Sequence, residues 1–459
     1  MNRAWAAVRA TGALGDRPGR AILSLLRCLG RKGPTLAGVV AWQARRDPER
    51  LALTDEAERL TYAELQARVR DRARAWQGTH PPGTLVGLDG GGGQVAFVVD
   101  LLAGLRLGWR VVPLAPGRAG TGLASPLPAA GRGGWPPPRA GRPVLLTSGS
   151  SGTPRPVRSR VRPGAALRVA GALLEALRPH RDAAVVLPLP LWHGHGLATL
   201  ALALGVGAPL HLRAGATPQA IWAALEAEGA EVLAVVPTVL RRLLAAPGTA
   251  PRLRVVLSGS APLSPELAAA TRARLGDVLF NAFGSTELGV LGVLTLATPA
   301  DLHAAPGSVG RPLPGVAVRV APDGRVLARG LLRRGWHVTG DLGSLDASGR
   351  LVLRGRADDL MVIGGENVWP AQLEGALLGV PGVVACAVLP VPCAEYGQRP
   401  VAFVEGDVPL TVLEAFARNL WPRRLRPVRW VLRPLPRTPL GKIARGALRA
   451  GIQIRSQCK

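Results

Sequence analysis

A run of hydroxyl-bearing and glycine residues, "LLTSGSSGTPRPV" at 145–157, is the first part of the sequence that could do chemistry. It places five serine or threonine side chains and two glycines directly after an apolar pair. Backbone N–H groups and hydroxyls in a loop of this kind can bind a phosphate anion. The segment does not match the GxxxxGK[ST] pattern of a P-loop. Alone, it leaves two interpretations open, a phosphate-binding loop and an ordinary turn.

Lysine is rare in this chain, and one lysine is a candidate functional residue for that reason. Among 57 basic residues only Lys32, Lys442 and Lys459 are lysine. The two cationic side chains differ, because an ammonium group is compact and sits on a flexible stem, whereas a guanidinium is planar. An interior lysine in a chain that otherwise uses arginine therefore needs a reason of its own.

Alternating strands and helices must position these residues. Between residues 143 and 284, apolar strand segments such as "EVLAVVP" and "LRVVLSG" alternate with helical ones such as "TVLRRLLAA". This repetition predicts an α/β fold with a large N-terminal domain built on doubly wound, mostly parallel sheets. Ligands bind at the carboxyl ends of strands in such sheets. The polar segments that follow strands near residues 147, 258 and 284 should therefore converge on one crevice.

The pattern changes on both sides of this region. Residues 37–78 predict two helices around a short strand, and Thr61 with Glu64 predicts a capping box at the second helix. Residues 116–143 are almost all Gly, Pro, Ala and Arg, which predicts a flexible surface connection. Strand-rich segments after about residue 352 predict a small α+β domain. We expect an N-terminal domain over 1–355 and a small C-terminal domain over 356–459.

The composition excludes several classes of protein. Apolar residues make up 47% of the chain and are dispersed, and the longest apolar stretches end near 14 residues, too short to span a bilayer. The N-terminus lacks the pattern of an export signal, so we expect a cytoplasmic protein. No CxxC pair or metal-ligand spacing occurs, which argues against a zinc site or a disulfide framework. The cysteines expected to be reduced thiols are Cys28, Cys386, Cys393 and Cys458.

The formal net charge of +27 is compatible with nucleic acid, an anionic membrane surface or anionic small substrates. The arginines are spread over the whole length without a dense basic run, so we expect no nucleic-acid partner. Residues 17–32, "RPGRAILSLLRCLGRK", place leucines between cations, as in an interfacial helix. This segment predicts either a peripheral contact with the inner membrane surface or simple packing on the body of the protein.

Seven motifs in order resemble those of one known family. They are "LLTSGSSGTPRPV", "PLWHGHGL" at 190–197, "LSGSAPLS" at 257–264, "NAFGSTE" at 281–287, "VTGD" at 338–341, "GRADDLMVIGGENVWPAQLE" at 355–374 and "PRTPLGK" at 436–442. Together they resemble the adenylate-forming superfamily of acyl- and aryl-CoA synthetases, peptide-synthetase adenylation domains and luciferases. The resemblance extends over roughly residues 37–450 and selects the phosphate-loop interpretation of 145–157.

The resemblance implies a site for ATP and Mg²⁺ built from several motifs. Thr147 and Glu287 would hold Mg²⁺, a cation that prefers oxygen ligands. Phe283 would stack on the adenine, Asp341 would accept the ribose hydroxyls and Arg356 would assist there. The full implied ATP-binding set is Thr147, Ser148, Gly149, Ser150, Ser151, Gly152, Thr153, Arg155, Gly259, Ser260, Ala261, Pro262, Asn281, Ala282, Phe283, Gly284, Ser285, Thr286, Asp341 and Arg356.

The resemblance also implies how the acid, CoA and the small domain would work together. Trp192 and His193 would lie beside the carboxylate pocket, although a packed core pair is the alternative. The glycine loop of Gly364, Gly365 and Glu366 would border the CoA tunnel. Lys442 would be the catalytic lysine, with Thr147 and Glu287 completing the catalytic set, because a point cation stabilises the charge that develops when a carboxylate attacks the α-phosphate. The C-terminal domain would be mobile and turn about a hinge at Asp358.

The chain departs from the family pattern in a few places. Arg155 stands for a lysine, Phe283 for a tyrosine and Gln372 for a glutamate. The segments before residue 143 and between Gly315 and Trp336 are shortened, which bears on the acyl pocket rather than on the nucleotide site.

The resemblance implies an acid–thiol ligase that forms an acyl adenylate and then an acyl-CoA. The substrate expected first is a medium- or long-chain fatty acid, with ATP, Mg²⁺ and CoA as the other reactants. The alternatives are an aryl- or succinylbenzoate-type CoA ligase, an adenylation enzyme that loads a carrier protein, and a non-catalytic nucleotide-binding relative.

Overall fold

The computed structural model describes residues 6, 8–13, 18–32, 35–117, 123–126, 141–147, 155–156, 163–284, 292–329, 335–437 and 443–452. The chain divides into two compact units. The larger comprises 1–147, 154–318 and 328–336, and the smaller comprises 148–153, 319–327 and 337–459.

The helices are α1 Pro18–Lys32, α2 Leu36–Arg46, α3 Tyr62–Ala75, α4 Gln94–Arg106, α5 Pro163–Leu177, α6 Gly194–Val206, α7 Pro218–Ala227, α8 Pro237–Ala245, α9 Pro265–Leu275, α10 Pro299–Ala304, α11 Pro370–Leu377, α12 Leu410–Leu420 and α13 Arg445–Ala450. The strands up to residue 300 are β1 Leu51–Thr54, β2 Arg59–Thr61, β3 Leu85–Asp89, β4 Arg110–Leu114, β5 Leu123–Pro126, β6 Arg142–Pro143, β7 Leu146–Thr147, β8 Arg155–Pro156, β9 Val185–Leu187, β10 Leu210–Leu212, β11 Val232–Val235, β12 Val255–Gly259, β13 Leu279–Gly284 and β14 Val293–Ala297. The remaining strands are β15 Arg311–Pro312, β16 Ala317–Val320, β17 Arg325–Arg329, β18 His337–Leu345, β19 Leu351–Arg356, β20 Met361–Ile363, β21 Glu366–Val368, β22 Val383–Cys393, β23 Gly397–Gly406 and β24 Arg429–Leu432.

A nine-stranded sheet forms the centre of the larger unit. Its order is β15-β14-β13-β12-β11-β9-β10-β1-β2. The pairs from β13 through β12, β11, β9 and β10 to β1 are parallel, and the edge pairs are antiparallel. The central strands are short apolar runs, which is typical of strands that are covered on both faces. The predicted mostly parallel α/β sheet is confirmed.

Local capping signals fix where several helices of the larger unit begin. Thr61 caps α3, its hydroxyl accepts from the backbone N–H of Glu64, and the Glu64 carboxylate accepts from the backbone N–H of Thr61. The predicted capping box is therefore confirmed. At the start of α9, the Ser264 hydroxyl accepts from the backbone N–H of Leu267, and Pro265 occupies the first helical position.

A second sheet of the larger unit corrects one prediction. Its order is β5-β3-β4-β6, with β3 and β4 parallel. β5 pairs antiparallel with β3, and β6 pairs parallel with β4. The predicted flexible surface connection over 116–143 thus includes two short strands, which its composition did not predict. Their pairing partners lie far away in sequence, so the local Gly/Pro-rich composition gave no sign of them.

The helix predicted over residues 17–32 is α1. Its Cys28 is buried in a cluster with Ala41 and Trp42, so one face packs on α2. Leu23 and Leu26 remain 48% and 59% exposed. The membrane contact stays a prediction. Across the described part of the chain, no helix combines the length and apolar character needed to cross a membrane.

The smaller unit is α+β, as predicted for the C-terminal part of the chain. It contains the hairpin β20–β21 and a three-stranded sheet of order β22-β23-β24, with α11, α12 and α13. A further four-stranded sheet has the order β16-β17-β18-β19. Compactness assigns 337–355 to this unit, because β18 pairs with β19. The smaller compact unit therefore includes residues before 356, where the sequence predicts that the C-terminal domain begins. That the C-terminal domain moves as a body from residue 356 onward stays a prediction.

Candidate functional site

Two parallel strands of the large sheet end together and carry two of the predicted motifs. In the register of β12 and β13, Ser258 is opposite Asn281 and Gly259 is opposite Ala282. A methyl group on Gly259 would lie 2.9 Å from the carbonyl oxygen of Ala282, so only glycine permits this close approach. The predicted convergence of the segments near 258 and 284 is confirmed for these residues.

The chain leaves β12 through a strained and accessible turn. Ser260 has φ = 66°, and Arg178 is the only other described non-glycine residue with a positive φ. Such a conformation costs about 1 kcal/mol or more and is found preferentially at ligand-binding turns. Ser260, Ala261 and Pro262 are exposed, and Ser264 then starts α9. The turn presents open backbone groups at the carboxyl edge of the sheet, as a nucleotide-binding loop requires.

The side chains at the end of β13 differ in burial. Asn281 is buried, and Phe283 is half-buried against Leu294 and Ala328. Gly284 is exposed and pairs with Val293 of β14, although β14 approaches so closely that a methyl group on Gly284 would lie 2.5 Å from the Gly292 carbonyl oxygen. Adenine stacking by Phe283 stays a prediction.

Several predicted site residues lie outside the described residues. These are Lys442, Glu287, Ser285, Thr286 and the segment 148–153. For Thr147 and Arg155 the structure describes the backbone, and the two residues are paired in the antiparallel strands β7 and β8. The two ends of the predicted phosphate loop are thus joined, and its roles in binding Mg²⁺ and phosphate stay predictions.

Trp192 and His193 lie at the start of α6. Their rings are tilted, with centroids 6.3 Å apart, and His193 is the N-cap residue of the helix. The indole packs on the backbone of Gly90, where a methyl group would come within 2.6 Å of the ring. Both rings are half-buried. This placement fits packing as well as the predicted acid contact, which stays a prediction.

His195, which the sequence analysis did not select, lies against the end of β12. A methyl group on Gly259 would be 3.5 Å from its Nδ1 atom. Both ring nitrogens are buried, and neither has a hydrogen-bond partner among the described residues. Burial lowers the pKa of His195 to about 4, so the imidazole is neutral at neutral pH. The available sequence signal was the second histidine of "WHGHG", flanked by Gly194 and Gly196.

A small apolar cavity lies between α6 and the sheet. It measures about 30 Å³, which is enough space for a water molecule. Thr199, one helical turn beyond His195, lines it together with Leu257, which precedes Gly259 by two residues on the same face of β12. Apolar side chains such as Val185 and Leu202 form much of the remaining wall. The cavity is therefore a small void in the apolar core beneath α6.

Asp341 and Arg356 meet in the smaller unit. They are directly opposite in the β18–β19 register, with 3.6 Å between Arg356 Nη1 and Asp341 Oδ1. Arg356 Nη1 also donates to the carbonyl of Thr339 at 2.9 Å, and the Thr339 hydroxyl accepts from the Asp341 N–H at 3.1 Å. Gly340 has φ = 81°, and a methyl group on Gly340 would lie 2.7 Å from Nη2 of Arg356. The structure brings this predicted pair together, and its role at the ribose stays a prediction.

The glycine loop predicted to face CoA is a tight hairpin. Ile363 pairs with Glu366, so Gly364 and Gly365 form a two-residue turn with φ values of 59° and 81°. Positive φ at both positions is the reason for two glycines. The Glu366 carboxylate binds Arg424 with both oxygens, at 2.8 and 2.9 Å. Contact with CoA stays a prediction.

The predicted hinge residue lies in a short 3-10 turn, Ala357–Asp359, directly after β19. Gly355 precedes it with φ = 148°, and a side chain there would collide with Trp369, 2.2 Å from its Cδ1 atom. The segment around Asp358 is therefore a turn between a fixed strand and the rest of the unit. Motion at Asp358 stays a prediction.

Comparison with known proteins identifies related enzymes. Residues 135–354 match the family described as AMP-binding enzyme. A sulfoacetate–CoA ligase from Cupriavidus necator is 33% identical over 365 residues, covering 70% of this chain and 68% of that protein. A 2-succinylbenzoate–CoA ligase from Listeria monocytogenes is 30% identical over 332 residues, covering 67% and 69%. The structure of o-succinylbenzoate coenzyme A synthetase from Bacillus subtilis in complex with ATP and magnesium ion is similar in fold, with a TM-score of 0.72, 21% identity and coverage of 90% and 99%.

Proposed function

Since the chain belongs to the AMP-binding, adenylate-forming enzymes, we propose that it activates a carboxylic acid with ATP and transfers the acyl group to CoA. The CoA ligases of this family use ATP and CoA as co-substrates and Mg²⁺ as the metal ion. The observation that carries the proposal is the shared end of β12 and β13, where the open Ser260 turn lies beside the buried imidazole of His195.

The proposed reaction has two steps. A carboxylate oxygen attacks the α-phosphorus of ATP, the bond to the bridging oxygen breaks, and pyrophosphate leaves. The CoA thiolate then attacks the acyl carbonyl, and AMP leaves with the electron pair of the mixed anhydride. Lys442 supplies the cation for the first step, and Asp341 with Arg356 holds the ribose. Bound Mg²⁺, held through Thr147 and Glu287, would offset the charge of the phosphates.

The substrate we propose is a short or aromatic acid that carries a second hydrogen-bonding or anionic group, rather than a fatty acid. Two observations support this. The His195 nitrogens are buried without partners, and such groups cost free energy until a ligand bonds to them. The similar enzymes from Cupriavidus and Listeria are named for sulfoacetate and 2-succinylbenzoate, which favours the succinylbenzoate-type alternative over the fatty-acid expectation.

The test is acid-dependent pyrophosphate release with a panel of acids, with and without CoA. The panel contains sulfoacetate, 2-succinylbenzoate, benzoate and decanoate. We expect kcat/KM to be highest for an acid with a second anionic group, and acyl-CoA to form when CoA is added. A preference for decanoate contradicts the proposed substrate class, and the absence of acyl-CoA contradicts the proposed acceptor.

The variant His195→Leu tests the assignment of specificity within that assay. We expect it to lose roughly 10- to 100-fold in kcat/KM for the preferred acid, the size of one lost hydrogen bond to a charged group. Benzoate, which lacks the second group, should be changed much less. His303→Leu, at an exposed histidine on α10, is the matched control. An equal loss for all acids contradicts a role of His195 in specificity.

A further inference from the structure

Both ends of the segment that carries Lys442 are fixed to the body of the smaller unit. Arg437 and Ile443, which flank residues 438–442, form an antiparallel bridge. The backbone N–H of Ala444 donates to the carbonyl of Pro436 at 2.7 Å. The described residues on the two sides of 438–442 are therefore joined to each other.

The downstream end is held by a partly buried ion pair. Arg445 follows Lys442 by three residues, and its Nη2 lies 2.5 Å from Oε1 of Glu374 on α11. Its Nη1 donates to the carbonyl of Val388 at 3.0 Å, while the Val388 N–H donates to the same Glu374 oxygen at 2.7 Å. Burial raises the pKa of Glu374, and the Arg445 charge opposes that rise. The guanidinium thus joins the start of α13 to both α11 and β22.

The upstream end is held by a second carboxylate on the neighbouring strand. Glu405 of β23 accepts from the backbone N–H of Leu435 and from Nη2 of Arg437, each at 3.0 Å. β23 pairs with β22, so the two anchors rest on adjacent strands of one sheet. A charged pair thus fixes the chain on each side of residues 438–442.

A third contact connects this assembly to the predicted hinge. Arg449, at the end of α13, lies 3.7 Å from the Asp359 carboxylate, in the turn that contains Asp358. The helix that follows Lys442 is therefore tied to the hinge turn as well as to the sheet.

We propose that Glu374 and Glu405, acting through Arg445 and Arg437, are positioning residues that fix where Lys442 stands during adenylate formation. This inference rests on the proposed function, in which Lys442 is the catalytic cation. The lysine stem is flexible, so its ammonium can be placed only if the backbone at both ends of its loop is held. Misplacement of a catalytic group by about 1 Å costs roughly 10²-fold in rate.

The energetics of ion pairs indicate that the pairs of Glu374 and Glu405 orient the chain more than they stabilise the fold. A buried ion pair contributes little net stability compared with apolar residues of the same size, because both charges lose their hydration. α13 has only six residues, and Leu448 is its one buried residue, so apolar packing holds the helix weakly. The polar contacts therefore supply most of the orientation of this segment.

The experiment measures the two half-reactions separately in Glu374→Gln and Glu405→Gln. Adenylate formation is followed by single-turnover pyrophosphate release, and thioester formation is followed from a synthetic acyl adenylate. We expect each variant to slow adenylate formation by roughly 10- to 100-fold and to change thioester formation by less than about 3-fold. The pairing of Glu414 with Arg418 on α12 is exposed, so Glu414→Gln is the matched control and should leave both steps unchanged. Glu405 is at the better-exposed end, so its variant provides the test if Glu374→Gln does not fold.

The decisive comparison repeats both substitutions in a Lys442→Ala background. A residue that acts through Lys442 causes no further loss of adenylate formation there, whereas a residue that only supports the fold causes the same fold-loss in both backgrounds. Equal losses in both backgrounds or in both half-reactions would overturn the inference, as would an unchanged rate in both variants. A wild-type protein that forms no adenylate contradicts the proposed function instead, so the two failures are distinguishable.

Discussion

At the residue scale, the His195 imidazole is polar, yet its nitrogens are buried and unpaired among the described residues. Its ring nitrogens are removed from water, and no described residue offers them a hydrogen bond. An unsatisfied buried polar group costs about 1–3 kcal/mol. A ligand with a polar group at this position recovers that cost, whereas an alkyl chain does not. Under the proposed function, we therefore expect the imidazole to favour acids with a polar group at this position, because the cost of its unpaired nitrogens is already present before binding.

The lowered pKa of His195 predicts a pH dependence of stability. Its folded-state pKa of about 4 lies below the ordinary value of 6.5, so the unfolded chain binds the proton first as pH falls. Stability should be lost progressively from pH 6.5 towards pH 4. We expect His195→Leu to lose less free energy of unfolding between pH 7 and pH 5 than the wild type, by roughly 2 kcal/mol. Urea unfolding at both pH values measures this difference.

A second buried histidine makes the comparison with wild type necessary. Burial also lowers the pKa of His211 to about 4, so it contributes the same slope to both proteins. His303→Leu serves as the control and should follow the wild type. A variant at His195 that loses as much stability as the wild type contradicts the assigned pKa.

At the element scale, helices and strands with capping residues or apolar periodicity in their own sequence were predictable. Strands that form only by pairing with a strand distant in sequence were not. The parallel strands are apolar runs, and capping residues such as Thr61 and Ser264 mark the starts of helices, so the sequence pattern predicted both. β5 and β6 form by pairing with β3 and β4, and the local sequence of β5 and β6 does not predict that pairing.

The same distinction applies to the candidate site. The residues of β12 and β13 were predictable from motifs, whereas the burial of His195 depends on the packing of α6 against Gly259, about 64 residues away along the chain. The positioning carboxylates Glu374 and Glu405 were missed for the same reason. Each holds a residue that lies tens of residues away in sequence.

The exposed face of α1 predicts binding to an anionic membrane surface. Leu23 and Leu26 point away from the packed face, and Arg20 and Arg27 are exposed beside them. We expect L23S/L26S to weaken binding to phosphatidylglycerol-containing vesicles by 10-fold or more, because each leucine is worth about 1.5 kcal/mol or more on burial. Sedimentation with vesicles measures the binding, and Leu420→Ser, at another exposed leucine, is the control. Equal binding by the double variant and the wild type would rule out this surface.

If the turn at Ala357–Asp359 contains the hinge, a substitution there should affect one half-reaction and not the other. Proline fixes φ near −65° and removes the N–H, so a hinge that changes φ between two states can fit proline in at most one of them. We expect Asp358→Pro to retain acid-dependent pyrophosphate release and to slow thioester formation by about 100-fold or more. Single-turnover kinetics of each step measure this.

The control for that variant is Ala347→Pro, in an exposed turn of the same unit, where Asp346 accepts from the Ser348 N–H. It should leave both steps unchanged. Normal thioester formation in folded Asp358→Pro would show that the hinge lies elsewhere.

At the scale of the whole molecule, the residues of the proposed function are distributed over two compact units. The larger contains the ends of β12 and β13, the Ser260 turn and His195, and the smaller contains Asp341, Arg356 and the residues that flank the segment of Lys442. The net charge of +27 fits reactants that are all anionic, as in the proposed function.

The central claim is that the protein forms an acyl adenylate, and isotope exchange between pyrophosphate and ATP tests it most directly. The exchange is measured with the preferred acid in the absence of CoA. We predict exchange that requires both the acid and Mg²⁺, proceeds without CoA, and falls to a small residual rate in Lys442→Ala. Exchange that is absent without CoA, or release of ADP and phosphate in place of AMP and pyrophosphate, would contradict adenylate formation.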